Sequence, residues 1–316
     1  MERQLREGEG YLTYARRNPR GLVHQGWKDS HDAVSHEDGT LAEPPIALAE
    51  VQAYVYRALV GLAGLARRTD RFEMGSRWDR QAEDLRARFT RDFWLEDQDT
   101  FALALDRDRT PCRVVSSNAG QCLFGGIASP EHAARMAARL LREDIFCGWG
   151  LRTLSDQALR FNPMSYHNGS VWPHDNALIA AGMARYGRTA DAAVVLSGLY
   201  GASTAFDDQR LPELFCGFSR TARGKPVPYP VACTPQAWAA GSVLLLIQSV
   251  LGLAVDARTR RVTLRRPLLP SWLQRLEVRG LRIGDASVDL RIHRGRPGAA
   301  VEVLGRSGEV DVVVGP

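Results

Sequence analysis

Apolar residues at helical spacing over most of the chain, and period-two alternation over its last part, predict a mainly α protein of paired helices closed by a small C-terminal antiparallel β appendage. In residues 44–68, Ile46, Leu48, Val51, Tyr54, Val55, Leu59, Leu62 and Leu65 recur on one helical face. A more charged helix follows over about residues 71–93, so the two read as the inner and outer members of one pair. Asp97-Gln98-Asp99-Thr100 breaks the rhythm and predicts a hairpin. Further helices are expected over residues 119–124, 130–141, 175–186, 189–205 and 234–253, about seven in total. The texture then changes. Residues 261–264, 276–278, 287–292, 300–303 and 310–313 alternate in strand fashion, which divides the chain into a helical domain, residues 1–254, and a β appendage, residues 255–316.

Composition narrows the functional classes. The 316 residues are 45% hydrophobic and 24% charged, an ordinary globular balance with a net charge of +5. Only Lys28 and Lys225 are lysine, and the arginines are spread among Asp and Glu, which is a solvated surface and not a nucleic-acid footprint. The five cysteines are odd in number and form no C-x-x-C pair, so neither a zinc site nor a disulfide framework is expected, and reduced thiols fit a cytoplasmic protein. Residues 1–7 lack an apolar signal core, and the longest apolar run, residues 243–255, is broken by Gln248 and Ser249 and is too short to span a bilayer. No membrane partner is expected.

Four loops carry the chemistry. Residues 162–175, Asn162-Pro163-Met164-Ser165-Tyr166-His167-Asn168-Gly169-Ser170-Val171-Trp172-Pro173-His174-Asp175, combine rings, imidazoles, amides and a carboxylate with neither helical nor strand periodicity. Flat rings fringed by short hydrogen-bonding groups suit a sugar better than a phosphate, a nucleobase or a lipid. Gln25-Gly26-Trp27-Lys28-Asp29-Ser30-His31-Asp32 offers Asp29 and Asp32 as candidate acids, Cys147-Gly148-Trp149-Gly150-Leu151-Arg152-Thr153-Leu154 adds another ring, and Arg210-Leu211-Pro212-Glu213-Leu214-Phe215 adds another carboxylate. Glycoside hydrolysis needs one acid to protonate the leaving oxygen and one carboxylate to activate water or attack the anomeric carbon. Asp29 and Glu213 can supply that pair only if the fold brings two distant loops together. Taken singly, Asp29 reads as well as a helix cap or turn residue, and Glu213 as a solvated loop acid. His167 and His174 lack metal-ligand spacing, so no metal is expected.

Taken together and in order, Gly26-Trp27-Lys28-Asp29-Ser30, Ser117-Asn118-Ala119-Gly120, residues 148–154, residues 162–175, Leu211-Pro212-Glu213-Leu214 and Cys233-Thr234-Pro235-Gln236-Ala237-Trp238 resemble the glycoside hydrolases related to amylo-α-1,6-glucosidase, the glucosidase part of glycogen debranching enzymes. The resemblance covers about residues 10–255. It implies an (α/α)6 toroid acting on an oligo- or polysaccharide with α-glucosidic linkages, by inversion and without metal or organic cofactor. It also implies Asp29 as general acid and Glu213 as general base, with Trp27, Asp32, Trp149, Arg152, Tyr166, His167, Asn168, Trp172, His174, Asp175, Gln236 and Trp238 around the sugar. Inversion sets the two carboxyls about 6.5 to 9.5 Å apart, and Lys28 is expected to point away from Asp29. The chain departs from the family at Gln121 and Phe124, where a histidine and a tryptophan are usual. Seven helices also fall short of the twelve of a full toroid, so an N-terminal region or a partner chain is expected to complete the ring. A non-catalytic carbohydrate-binding remnant, or a toroid hydrolase for a mannoside, glucosylglycerate or trehalose, is the alternative reading.

Overall fold

The computed structural model describes residues 8, 10–295 and 298–315; the signal-core reading of residues 1–7 lies outside the described residues. Seven α-helices are present among them: α1 Ala49–Arg68, α2 Phe72–Phe93, α3 Ser117–Gly125, α4 Pro130–Leu140, α5 Pro173–Arg185, α6 Thr189–Ser203 and α7 Ala237–Leu251. Their boundaries follow local chemistry. At α4, Pro130 occupies the first turn, the Ser129 side chain accepts from the His132 amide at 3.1 Å, and Arg139 sits in the last turn. α1 starts later than its apolar spacing predicts because Ala47–Leu48 (β1) is paired with Ala104–Leu105 (β4). α7 likewise begins three residues late, after Pro235, since a residue before proline is pushed out of helical geometry. α5 begins two residues early, because Pro173 is acceptable in a first helical turn. The hairpin expected near residue 97 is Trp94–Leu95 (β2) against Thr100–Phe101 (β3).

Packing sorts the helices into two rows. α1 packs on α3, α3 on α5 and α5 on α7, while α2 lies against α1, α4 against α3, and α6 against α5 and α7. The inner row is therefore α1, α3, α5, α7 and the outer row α2, α4, α6. α3 and α5 are buried over almost their whole lengths, whereas the outer α2 buries only Gly75, Ala82, Leu85, Phe89 and Phe93. One continuous core runs through these layers, from Phe89, Phe93 and Phe101 to Leu246 and Val250. The two ends of the inner row differ from its middle. On α1, Tyr54, Leu62 and Leu65 are exposed along one stripe, and on α7 Leu244 is 73% exposed.

After α7 the chain is β: Leu253–Asp256 (β5), Arg261–Arg265 (β6), Arg275–Ile283 (β7), Ala286–Arg294 (β8), Ala299–Ser307 (β9) and Asp311–Gly315 (β10). One sheet has the order β7-β8-β9 and is antiparallel; the other has the order β10-β6-β5. The expected all-antiparallel appendage needs one correction, because β10 pairs with β6 in parallel, Asp311 opposite Arg261. The hairpins β7-β8-β9 form the long crossover that returns β10 alongside β6 in the same direction. A second core, including Leu251, Val262, Leu264, Val288, Leu290 and Ile292, lies between these sheets and the end of α7. No helix among the described residues is long and apolar enough to cross a membrane.

Candidate active site

The polar loops are laced together by single backbone pairings: Ser116 with Leu154, Arg152 with Val171, Val171 with Phe215, and Phe215 with Pro228. Val171 and Phe215 exchange both amide bonds, at 2.8 and 3.0 Å, which ties the aromatic loop before α5 to the Glu213 loop. Glu213 is further joined to the segment entering α7. Its amide donates to the Cys233 carbonyl at 3.0 Å, and its Oε2 accepts from the Cys233 amide at 3.1 Å.

Three donors converge on the buried Glu213 carboxylate: the Tyr166 hydroxyl at 3.1 Å, the Cys233 amide at 3.1 Å and Gln236 Nε2 at 3.4 Å. On the other side, Asp29 has a half-exposed side chain whose Oδ1 lies 4.0 Å from Nδ1 of His167. Nδ1 lies 2.8 Å from the Ser30 hydroxyl and accepts the Ser30 amide at 3.4 Å, and burial, helped by Lys28 and His174, pulls the imidazole down to about 3. His167 is therefore neutral near pH 7 with its proton assigned to Nε2, so its contact with Asp29 is not an ion pair. The dipeptide Tyr166-His167 thus lies beside both Asp29 and Glu213. Burial and the nearby Glu213 carboxylate raise the Tyr166 phenol above its ordinary range, so its hydroxyl remains a donor.

Around this dipeptide the rings form one cluster. Trp27 meets His167, Trp172 and His174 edge-on at 5.7, 5.7 and 5.1 Å between centroids, and Tyr166 meets Trp172 at 4.8 Å. His174 stacks on Trp238 at 3.9 Å, leaving Trp238 42% exposed. Tyr229 joins at 5.5 Å from Tyr166. Edge-to-face packing on several sides holds each ring without a long apolar element behind it.

Other expected site residues do different work. Arg152 is 2% exposed and donates to the carbonyls of Gly217, Glu143 and Asp144, to the Ser219 hydroxyl and to Asp156; its fork is used in holding loops together and does not reach the ring cluster. Trp149 is buried in the main core with the Arg220 guanidinium 4.2 Å above its ring, again apart from that cluster. Asn168 donates to the Asp32 carbonyl at 3.2 Å, which pins the Asp29 loop by its backbone. Asp175 is fully buried; Gln121 donates to it and Tyr54 donates to Gln121. Lys28 turns away from Asp29, its ammonium donating to the Thr153 carbonyl at 2.6 Å.

Sequence reasoning passed over Tyr229 and Glu50. Tyr229 carries the same signal as the other rings, an aromatic residue in a proline-rich, aperiodic segment. Glu50 stands between Ala49 and Ala53 on the buried face of α1, and a carboxylate on a buried helix face is the signal that marks it.

Residues 9–215 match the model of the mannosylglycerate hydrolase MGH1-like glycoside hydrolase domain, a span that includes both Asp29 and Glu213. The chain belongs to this family. It is thus a glycoside hydrolase domain. No curated protein matches the MGH1-like chain. Among solved structures it is similar to a GH78 family rhamnosidase of Bacillus sp. GL1, with 18% identity, TM-score 0.60, and 95% of this chain covering 29% of that one. A sialidase is similar at 15% identity and TM-score 0.58, with coverage of 94% and 29%. Neutral trehalase Nth1 from Saccharomyces cerevisiae is similar at 17% identity and TM-score 0.52, with coverage of 70% and 41%. At these identities the likeness is one of fold, and this chain spans less than half the length of each of these structures.

Proposed function

We propose that this chain carries the acid–base pair of an inverting α-glycoside hydrolase, with Asp29 as general acid and Glu213 as general base. The observation that supports this most is the placement of adjacent residues Tyr166 and His167, the first hydrogen-bonded to the buried Glu213 carboxylate that three donors grip and the second 4.0 Å from the half-exposed Asp29 carboxyl. In this reading Asp29, open to the rim, protonates the departing oxygen. Glu213 takes a proton from the attacking water, with Tyr166 and Gln236 fixing which of its lone pairs faces that water. Trp238 and Trp27, backed by the buried His174 and Trp172, form an apolar wall for one face of the sugar ring. No step calls for a metal or an organic cofactor, and we place the reaction in the cytoplasm.

Two substrate classes fit that wall. The order of motifs in the sequence favours an α-1,6-linked glucan, whereas the family description favours a small α-glycoside of the mannosylglycerate kind. We further propose that the exposed apolar stripes of α1 and α7 pack against additional helices, from a preceding segment or a partner chain, which complete the sugar pocket. The deciding experiment is sugar release by the chain, alone and joined to its upstream coding sequence, from a branched α-1,6 glucan, mannosylglycerate, glucosylglycerate and trehalose. Release that both Asp29→Asn and Glu213→Gln abolish supports the assignment. Release that survives either change ends it, and a folded, joined protein that releases no sugar but still binds glycans leaves the carbohydrate-binding remnant as the better reading.

A further inference from the structure

Directly behind the Asp29 loop lies a group of charges that the reaction does not use. Lys28, Glu50 and Asp175 come from the loop, from α1 and from α5, and their exposures are 4%, 1% and 0%. Lys28 donates to Thr153, and Asp175 accepts from Gln121. The second Asp175 oxygen is buried without a hydrogen-bond partner, and the buried Glu50 carboxyl has the Asn118 side chain and its own backbone amide beside it but no well-formed hydrogen bond. One ammonium and two carboxylates sealed from water are costly unless their charges balance, and desolvation of each ion outweighs what a loose pairing returns.

The loop itself is built onto this group. The backbone of Gly26 passes so close to α1 that a Cβ there would stand 2.4 Å from Leu48 Cδ1 and 3.4 Å from Glu50 Oε1. Trp27 is held by three rings, Lys28 by Thr153, Ser30 by His167, and Asp32 by Asn168. Between the anchors at Lys28 and Ser30, the Asp29 side chain is half exposed. Alternation along the loop does the rest: the Lys28 side chain goes inward and that of its neighbour comes out.

We propose that Lys28, Glu50 and Asp175 are positioning residues for Asp29, a buried cluster that locks residues 26–30 so that the Asp29 carboxyl is presented at the rim, with Glu50 held as the neutral carboxylic acid that balances the cluster. The proposal rests on the assignment of Asp29 made above, although the locking of the loop is measurable without it. Burial pushes Glu50 up to about 7 and pulls Lys28 down to about 8. The groups that face Glu50 are Lys28 from the loop, Asp175 from α5, Tyr54 from its own helix, Asn118 and Cys122 from α3, and Tyr14 from the N-terminal segment.

The sign of the pH dependence follows. Between its unfolded value near 4.5 and about 7, Glu50 binds more protons folded than unfolded, so its contribution to stability falls as pH rises through that window. Glu50→Gln mimics the neutral acid and removes the fall. The test is hydrogen exchange of the amides of residues 26–30 in the 316-residue chain, read by mass spectrometry at pH 5.5 and 8 after correction for intrinsic rates. Wild type should exchange in this segment at least tenfold faster, relative to α5 and α6, at pH 8 than at pH 5.5, and Glu50→Gln should hold the pH 5.5 level of protection at both. Equal protection of wild type at both pH values, or a Glu50→Gln loop that is open at pH 5.5, overturns the proposal. Lys28→Met should open the same segment at both pH values while α5 and α6 stay within twofold; an unchanged segment in that variant overturns it as well, and if that variant does not fold the Glu50→Gln comparison decides. On an active form of the enzyme, Glu50→Gln should match wild-type kcat at pH 6 and exceed it above pH 7 with KM within twofold. Asp29→Asn separates the two readings. If it keeps turnover, the catalytic assignment fails, yet the exchange result still reports whether the cluster locks the loop.

Discussion

Tyr166 donates its hydroxyl to Glu213 at 3.1 Å, and its chain neighbour, His167, is the residue beside Asp29. A phenol that stays protonated is a fixed donor, so it orients the Glu213 carboxylate without titrating beside it. Tyr166→Phe removes the donor and keeps the ring packing on Trp172. A hydrogen bond to a charged group contributes about 1.5 to 3 kcal/mol, so kcat should fall roughly 10- to 150-fold with KM within about threefold. Steady-state kinetics on whichever glycoside the panel identifies checks this, and an unchanged kcat would mean that Gln236 and Cys233 suffice to orient Glu213.

His167 is held neutral by burial, with its folded value pulled down to about 3 from 6.5. The unfolded chain therefore binds more protons at this residue between those values. The contribution of His167 is present in full above about pH 6.5 and is lost as pH falls toward 3. His167→Gln, which keeps an acceptor for Ser30, should flatten the drop in melting midpoint between pH 7 and pH 4.5. Parallel midpoints in calorimetry would contradict the neutral assignment.

Gly217 and Gly169 are where two site loops touch. A Cβ on Gly217 would lie 1.8 Å from the Gly169 carbonyl oxygen, closer than any side chain tolerates, and neither backbone can yield without disturbing the Val171 to Phe215 pairing. Gly217→Ala should cost about 3 kcal/mol or more of stability. Urea titration gives the difference directly, and a loss below about 1 kcal/mol would show that the loops slide apart freely.

Leu244 on α7 is 73% exposed and Leu65 on α1 is 53% exposed, each at a free end of the inner helix row. Leu244→Lys and Leu65→Lys should change the melting midpoint of the isolated chain little, in keeping with about ±0.5 kcal/mol for surface changes. If further helices cover these stripes, the same changes should weaken assembly of the joined or reconstituted protein by at least tenfold. Equal assembly by the variants, measured by sedimentation, would leave both stripes as solvent faces.

Much of this fold was legible in the chain because helices announce themselves locally. The pairing of α1 with α2 follows from two adjacent periodic segments of contrasting polarity, and the hairpin at Asp97–Thr100 from its turn residues. Three rings of the candidate site were legible as well, since Trp27, Tyr166 and Trp172 stand in aperiodic, polar surroundings. The amino-acid sequence by itself therefore determined which segments are helix or strand and which side chains are unusual enough to bind a ligand, because both depend on neighbours within a few residues. Only the tertiary structure decided that Trp149 and Arg152 hold the scaffold together, that β10 returns in parallel to β6, that Asp175 and Glu50 are buried near Lys28, and that Tyr166-His167 lies beside both Asp29 and Glu213. Those relations connect residues far apart in the chain, and they arise from loop crossings and burial, which no local pattern encodes.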